Sequence, residues 1–233
     1  MWLRMKVVAL ALLLPACFDM EQRDPGSETE VLLADFEGNS THGPYPFERW
    51  EPFFFNPDGK AINADGKTRE DTQMWEFSAG RPPAGTAMMV EVDLMPQSNG
   101  DHTGGGIGSF ALSSTRDLRG HRVLQVYAKS EIVGALVEPA KLYAQLGCVS
   151  APRRNTQSTA ELMVVSSFAL DPEWRRFDLK LSDFHVPSWD IPDSVDEDVC
   201  LAMVDSVRFV VSADVGLEEA ATGRLYVDEV WLR

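Results

Sequence analysis

GRLYVDEVWL, residues 223–232, is the stretch on which the fold turns. Leu225 and Val227 alternate with Tyr226 and Asp228, and a period of two puts successive side chains on opposite faces of a strand. Strand-sized runs of similar character recur upstream, at residues 31–36, 74–77, 86–94, 106–111, 123–128, 141–146, 162–167, 175–179 and 206–211. Gly, Pro, Asn and Asp fill the gaps between them. Helix-period apolar stretches are scarce beyond the first 16 residues, with room for one helical turn at 201–204. Many short strands broken by turn residues predict an all-β chain folded as a sandwich or barrel. No internal repeat is visible.

The N-terminus reads as a leader. Arg4 and Lys6 precede an apolar stretch from Val7 to Leu14, which is too short to span a bilayer and has the layout of a secretory signal. Leu-Pro-Ala-Cys, residues 14–17, resembles the lipobox of bacterial lipoproteins. That resemblance implies cleavage before Cys17 and a lipid on its thiol, which anchors an exported protein to a bacterial cell envelope. Phe18, where some enteric bacteria use Asp for retention, implies the outer membrane under that sorting pattern. Residues 1–16 are then the signal peptide, 17–30 the lipidated Cys with an acidic tether, and 31–233 the folded domain.

The leader holds two basic residues and no acidic ones, so the remaining 217 residues carry 19 Lys+Arg against 36 Asp+Glu, a net charge of −17. That charge argues against nucleic acid and against electrostatic docking on anionic lipid; the membrane is reached through the anchor alone. With Cys17 lipidated, Cys148 and Cys200 remain. An oxidising compartment lets such a pair join, and each flanks a strand-like run, so a Cys148–Cys200 disulfide is expected. No CxxC or Cys/His cluster suggests zinc.

Two long loops stand out. Residues 38–72 carry Trp50 and Phe53 to Phe55, and residues 183–199 carry Trp189 among four aspartates. Long loops on a β scaffold carry function or cover sheet edges, and the sequence leaves both readings open.

Three stretches, in order, resemble one group: VLLADFEG (31–38), GGGIGSFALSSTRDLRGHRVLQVYAKS (104–130), and EWRRFDLKLSDF (173–184) followed by DSVRFVVS (205–212) and GRLYVDEVWL. They look like the galactose-binding-like jelly-roll sandwiches, and are most similar to family-eleven carbohydrate-binding modules and to domains named for a mitochondrial complex I assembly factor. The resemblance implies a jelly-roll β-sandwich with a carbohydrate ligand. It also implies a structural calcium held by an acidic residue after the first strand and one in the last, here Glu37 and Asp228, with Asp35 a weaker candidate. Oxygen-rich sites of this kind suit a hard cation. The Gly-rich run at 104–108 is not followed by a helix, so it does not fit a phosphate loop; it reads as a strand needing close backbone approach.

Sugar binding requires aromatic faces for the rings and planar polar groups for the hydroxyls. Tyr127 shares a strand face with Gln125 and Lys129, and Tyr143 shares another with Gln145 and Lys141. Such faces line a binding sheet or simply meet solvent. Trp189 and Trp75 are further candidates, and Trp174 reads as corner or core packing. No G-x-S-x-G, H-E-x-x-H or P-loop motif is present, and the four His are scattered. The expected function is non-catalytic carbohydrate binding. The alternatives are an envelope adaptor that binds another protein through an apolar patch at Phe53 to Phe55, and a hydrolase.

Overall fold

Period-two alternation makes layers, because each strand must bury one face. In the computed structural model, residues 30–43, 49–55, 75–82, 85–94, 104–109, 114–133, 141–155, 161–169, 171–188, 190, 194–212 and 221–233 are described. Cys17, the leader, almost all of the tether and Trp189 lie outside the described residues. The strands are β1 (Val31–Ala34), β2 (Trp50–Phe55), β3 (Trp75–Ala79), β4 (Thr86–Leu94), β5 (Gly104–Ser109), β6 (Val123–Val133), β7 (Lys141–Gly147), β8 (Met163–Ala169), β9 (Arg175–Lys180), β10 (Ser206–Ser212) and β11 (Ala221–Leu232). One helix, α1 (Glu197–Ala202), precedes β10.

Two antiparallel sheets form. The six-stranded one runs β3-β4-β11-β6-β9 with β1 also paired to β11, and the five-stranded one runs β2-β5-β10-β7-β8. The chain repeatedly crosses between them, giving the expected jelly-roll sandwich. The inner faces supply the core: Val90, Leu124, Val126, Leu225 and Val227 from one sheet, and Ile107, Leu142, Leu146, Val207 and Phe209 from the other, all fully buried. Trp50 plugs one end of it. Its ring stacks 6.3 Å from Phe209 and meets Phe36 edge-on at 5.8 Å, while its indole N–H donates to the Leu33 carbonyl at 3.2 Å. A buried indole thus keeps its polar atom satisfied.

Cys148, at the end of β7, is joined to Cys200 on α1 across a sequence separation of 52 residues, the pairing expected from the cysteine count. Two expectations are corrected. Part of the supposed loop at 38–72 is strand β2, hidden in the sequence by Pro52. That strand is the edge of its sheet, where a proline's missing N–H is tolerated. The helical turn comes earlier than 201–204, because the Asp196 side chain caps it by accepting the Val199 N–H at 3.1 Å.

Candidate functional site

The two tyrosine sets lie back to back. Tyr127 and Gln125 stand on β6 of the six-stranded sheet and Tyr143 and Gln145 on β7 of the five-stranded sheet, each set alternating with core residues. They therefore face away from each other. Gln125 is only 2% exposed, which takes it out of any open surface. Trp75 begins β3, its backbone paired with Val90. These residues do not form one site.

On the five-stranded sheet, register aligns two rows across the outer face. One runs Phe53, Gly106, Val210, Tyr143, Ser167, and the next runs Glu51, Gly108, Arg208, Gln145, Val165. Glycine at 106 and 108 leaves β5 without side chains there, so the floor is recessed between β2 and β10. A β-carbon on Gly106 would drive into the Phe209 carbonyl oxygen; the glycine run serves close approach of β10. Phe53 and Tyr143, both half-buried, flank this floor three strand spacings apart, about 14 Å.

Arg208 organises the second row. Its guanidinium donates to both oxygens of Glu161, with Nη1 2.8 Å from Oε2, and Nη2 also reaches the Ser206 hydroxyl at 3.2 Å. The arginine side chain is 11% exposed and that of Glu161 35%, so a forked ion pair is fixed in place with its carboxylate edge open. The Gln145 amide beside it makes no hydrogen bond within the described residues. Arg208 and Glu161 were not singled out from the sequence. The signal for Arg208 was its outward place in SVRFVVS; for Glu161 there was none.

The acidic candidates do meet. Glu37 follows β1 in a short turn, Asp228 sits on β11, and the β3–β4 hairpin drops between them. Asp228 Oδ2 accepts the Arg81 N–H at 3.1 Å and Oδ1 accepts the Glu229 N–H at 2.8 Å, while Glu37 Oε1 accepts the Thr86 N–H at 3.0 Å. Burial pushes Asp228 up to about 6, against the pull of these amides and with help from the neighbouring Glu229 and Glu37 charges. Arg81, which the sequence did not flag, pairs with Glu229 at 2.6 Å and lies 4.1 Å from the Tyr127 ring centroid. Asp35 instead turns its carboxylate to the Glu37 N–H at 3.2 Å.

Glu37 Oε1, Asp228 Oδ2 and the Arg81 carbonyl lie 3.1, 3.5 and 3.6 Å from the point a Gly85 β-carbon would occupy. Two carboxylates and a carbonyl converging on one glycine make an oxygen-only donor set, which fits a hard cation in kind. Among the described residues no cluster of three His, Cys, Asp or Glu forms a metal site, so further ligands there would be carbonyls or water. Phe36 precedes Glu37 and Glu229 follows Asp228, with φ of 56° and 36°; such strain persists only where the surroundings enforce it.

A cavity of about 470 Å³ beside α1 is lined by Arg154, Asp190, Asp196, Glu197 and Asp198, among others. Two of its carboxylates are spent on structure: Asp196 caps α1 and pairs with Arg154, and Glu197 accepts the Val186 N–H at 3.3 Å.

No family model and no curated protein matches the sequence. Among solved structures, a family 11 carbohydrate-binding module from Clostridium thermocellum, in complex with a β-1,3-1,4-mixed-linked tetrasaccharide, is similar at 16% identity and a TM-score of 0.49, covering 87% of this chain and 94% of that one. CBM27-1 from Caldicellulosiruptor saccharolyticus, in complex with mannohexaose, shows 13% identity and a TM-score of 0.41 over 89% and 98%. An exo-β-agarase shows 8% identity and a TM-score of 0.43, with 84% of this chain matching 24% of that one. At such identities each residue's role is read from its own surroundings.

Proposed function

We propose that this chain is an exported, lipid-anchored, non-catalytic sandwich that binds neutral carbohydrate on the outer face of its five-stranded sheet, with calcium held at the Glu37–Asp228 corner. The carrying observation is the pair of aligned rows: Phe53 and Tyr143 flank a glycine floor, and beside them Arg208, Glu161 and Gln145 present fixed planar donors and acceptors. Aromatic faces stack on pyranose rings, and planar groups answer their hydroxyls. The Arg208–Glu161 pair carries no net charge, and the −17 of the chain without its leader repels polyanions; both favour a neutral glycan.

Affinity electrophoresis through a panel of neutral polysaccharides tests this reading. The panel is led by mixed-linked β-glucan and mannan, polymers chosen beside the mixed-linked tetrasaccharide and mannohexaose of the two modules above. Retention by at least one is expected, and Tyr143→Ala should weaken it about tenfold, near 1.4 kcal/mol, without changing the melting temperature much. If no polysaccharide retards the protein, the reading fails. Calcium would neutralise the facing carboxylates and pin the β3–β4 hairpin; a melting temperature indifferent to chelator would remove it. A mass spectrum of the native protein showing an unmodified Cys17 would remove the anchor.

The protein-binding alternative needs a contiguous apolar patch. Among the described residues Val149, 60% exposed, is an exposed large hydrophobic; of the patch expected at Phe53 to Phe55, the side chains of Phe54 and Phe55 lie outside the described residues.

A further inference from the structure

The outer face of the six-stranded sheet carries its own constellation of rings and planar polar groups. Tyr226 on β11 pairs in register with Lys129 on β6, and Arg224 pairs with Glu131. Alternation points all four away from the core residues Leu225, Val227 and Ala128. Trp174 comes from the turn before β9 and reaches over this face: its ring stands 68° to that of Tyr226, with centroids 6.2 Å apart. The two rings meet at a corner: Tyr226 is buried, 6% exposed, with Lys129 over its face, and Trp174 stands beside it as a partly buried wall.

The polar groups around that corner are held firmly. Lys129 Nζ lies 4.2 Å from the Tyr226 centroid and 5.8 Å from that of Trp174, and 2.8 Å from Glu131 Oε1. The Tyr226 hydroxyl donates to Glu131 Oε2 at 2.9 Å. Hydrogen bonds from Lys129 first, and from Tyr226 second, hold Glu131 below its usual range, so it remains an acceptor. Arg224 and Glu91, 3.1 Å apart and about half exposed, extend the rim. Exposed ion pairs contribute little to stability, whereas an aromatic wall beside oriented donors and acceptors is what a sugar ring requires.

We propose that this face is a second glycan site, centred on Trp174, Tyr226, Lys129 and Glu131, and that one molecule bridges two neutral glycan chains. The proposal rests on the carbohydrate reading of the other sheet. Two sheets separate the sites, with inner faces about 10 Å apart, so the sites look in opposite directions. They hold separate chains and cross-link them, converting weak single contacts into avidity.

The test uses the full chain and mixed-linked β-glucan in two forms. Titration calorimetry with a short oligosaccharide counts sites, and turbidity with the polymer reports bridging. Two sites per chain and a turbidity maximum at equivalence are expected. Trp174→Ala should leave one site and abolish turbidity while retention persists. Lys129→Met, which leaves no cavity, should weaken the same site about tenfold, and Tyr143→Ala should weaken the other about tenfold, below the range the calorimeter counts. One site that Trp174→Ala leaves intact and Tyr143→Ala removes would overturn this proposal and keep the first reading. One site lost in Trp174→Ala and kept in Tyr143→Ala would overturn bridging and the five-stranded assignment together. An absence of binding to this glucan, with retention by another polysaccharide in the panel, moves the same count to that polysaccharide; no retention by any overturns both.

Discussion

The two outer faces of this sandwich are held by different forces. On the six-stranded side charge meets charge: Arg81 with Glu229, Lys129 with Glu131, Arg224 with Glu91, and the buried Asp228 clasped by two backbone amides beside Glu37. On the five-stranded side one forked pair, Arg208 with Glu161, stands beside packing and a covalent bond: a glycine strand lets β10 close in, and a disulfide runs from the end of β7 to α1. One face should therefore respond to pH and cations, and the other to steric change and reductant.

The largest break in that contrast is reduction of Cys148–Cys200, or the double change to Ser. Opening a loop of 52 residues should cost about 4 kcal/mol by the chain-entropy estimate, read from urea unfolding; a cost below about 1 kcal/mol would show that the five-stranded side does not depend on the bond. Next comes Gly106→Ala, which forces β10 away from β5 and should cost about 3 kcal/mol. Near-native stability would mean that the glycine run lowers the floor and does nothing for packing.

The third break is on the charged face. Asp228 sits at about 6 when folded, above the ordinary aspartate value of 3.8, so between these pH values the folded state holds a proton that the unfolded chain has released. In chelator, stability should fall as pH rises from about 4 to about 6, by about 2 kcal/mol. Calcium, which binds the ionised carboxylate, should abolish the fall, and Asp228→Asn should flatten the curve in chelator. A curve that rises over this window in chelator would show that the amides outweigh burial. Smallest is Lys129→Met, which removes an ion pair at the surface and should shift stability by about 0.5 kcal/mol. A much larger loss would mean that the Trp174 corner is a structural element in its own right.

Much of the architecture was legible. The runs at 86–94, 141–146 and 206–211 became strands almost residue for residue, since apolar alternation demands one buried face. Strand β2 was not, because Pro52 and three consecutive phenylalanines carry no period of two, and only its edge position makes the proline harmless. The meeting of Glu37 and Asp228 followed from their places after the first strand and in the last. Arg81 gave no signal, because its role depends on where a hairpin lands 147 residues from Asp228. Trp174 read as corner or core packing, and its partly buried place over Tyr226 came from the turn that precedes β9.

By itself, the sequence determined which side chains turn inward on the strands that alternate, and that two cysteines were left to pair. Only the tertiary structure decided which sheet each strand joins. Period two separates inside from outside in the same way for both sheets, so Tyr127 and Tyr143 look alike in the sequence. Long-range backbone pairing, β6 to β11 and β7 to β10, is what sets them on opposite surfaces of the molecule.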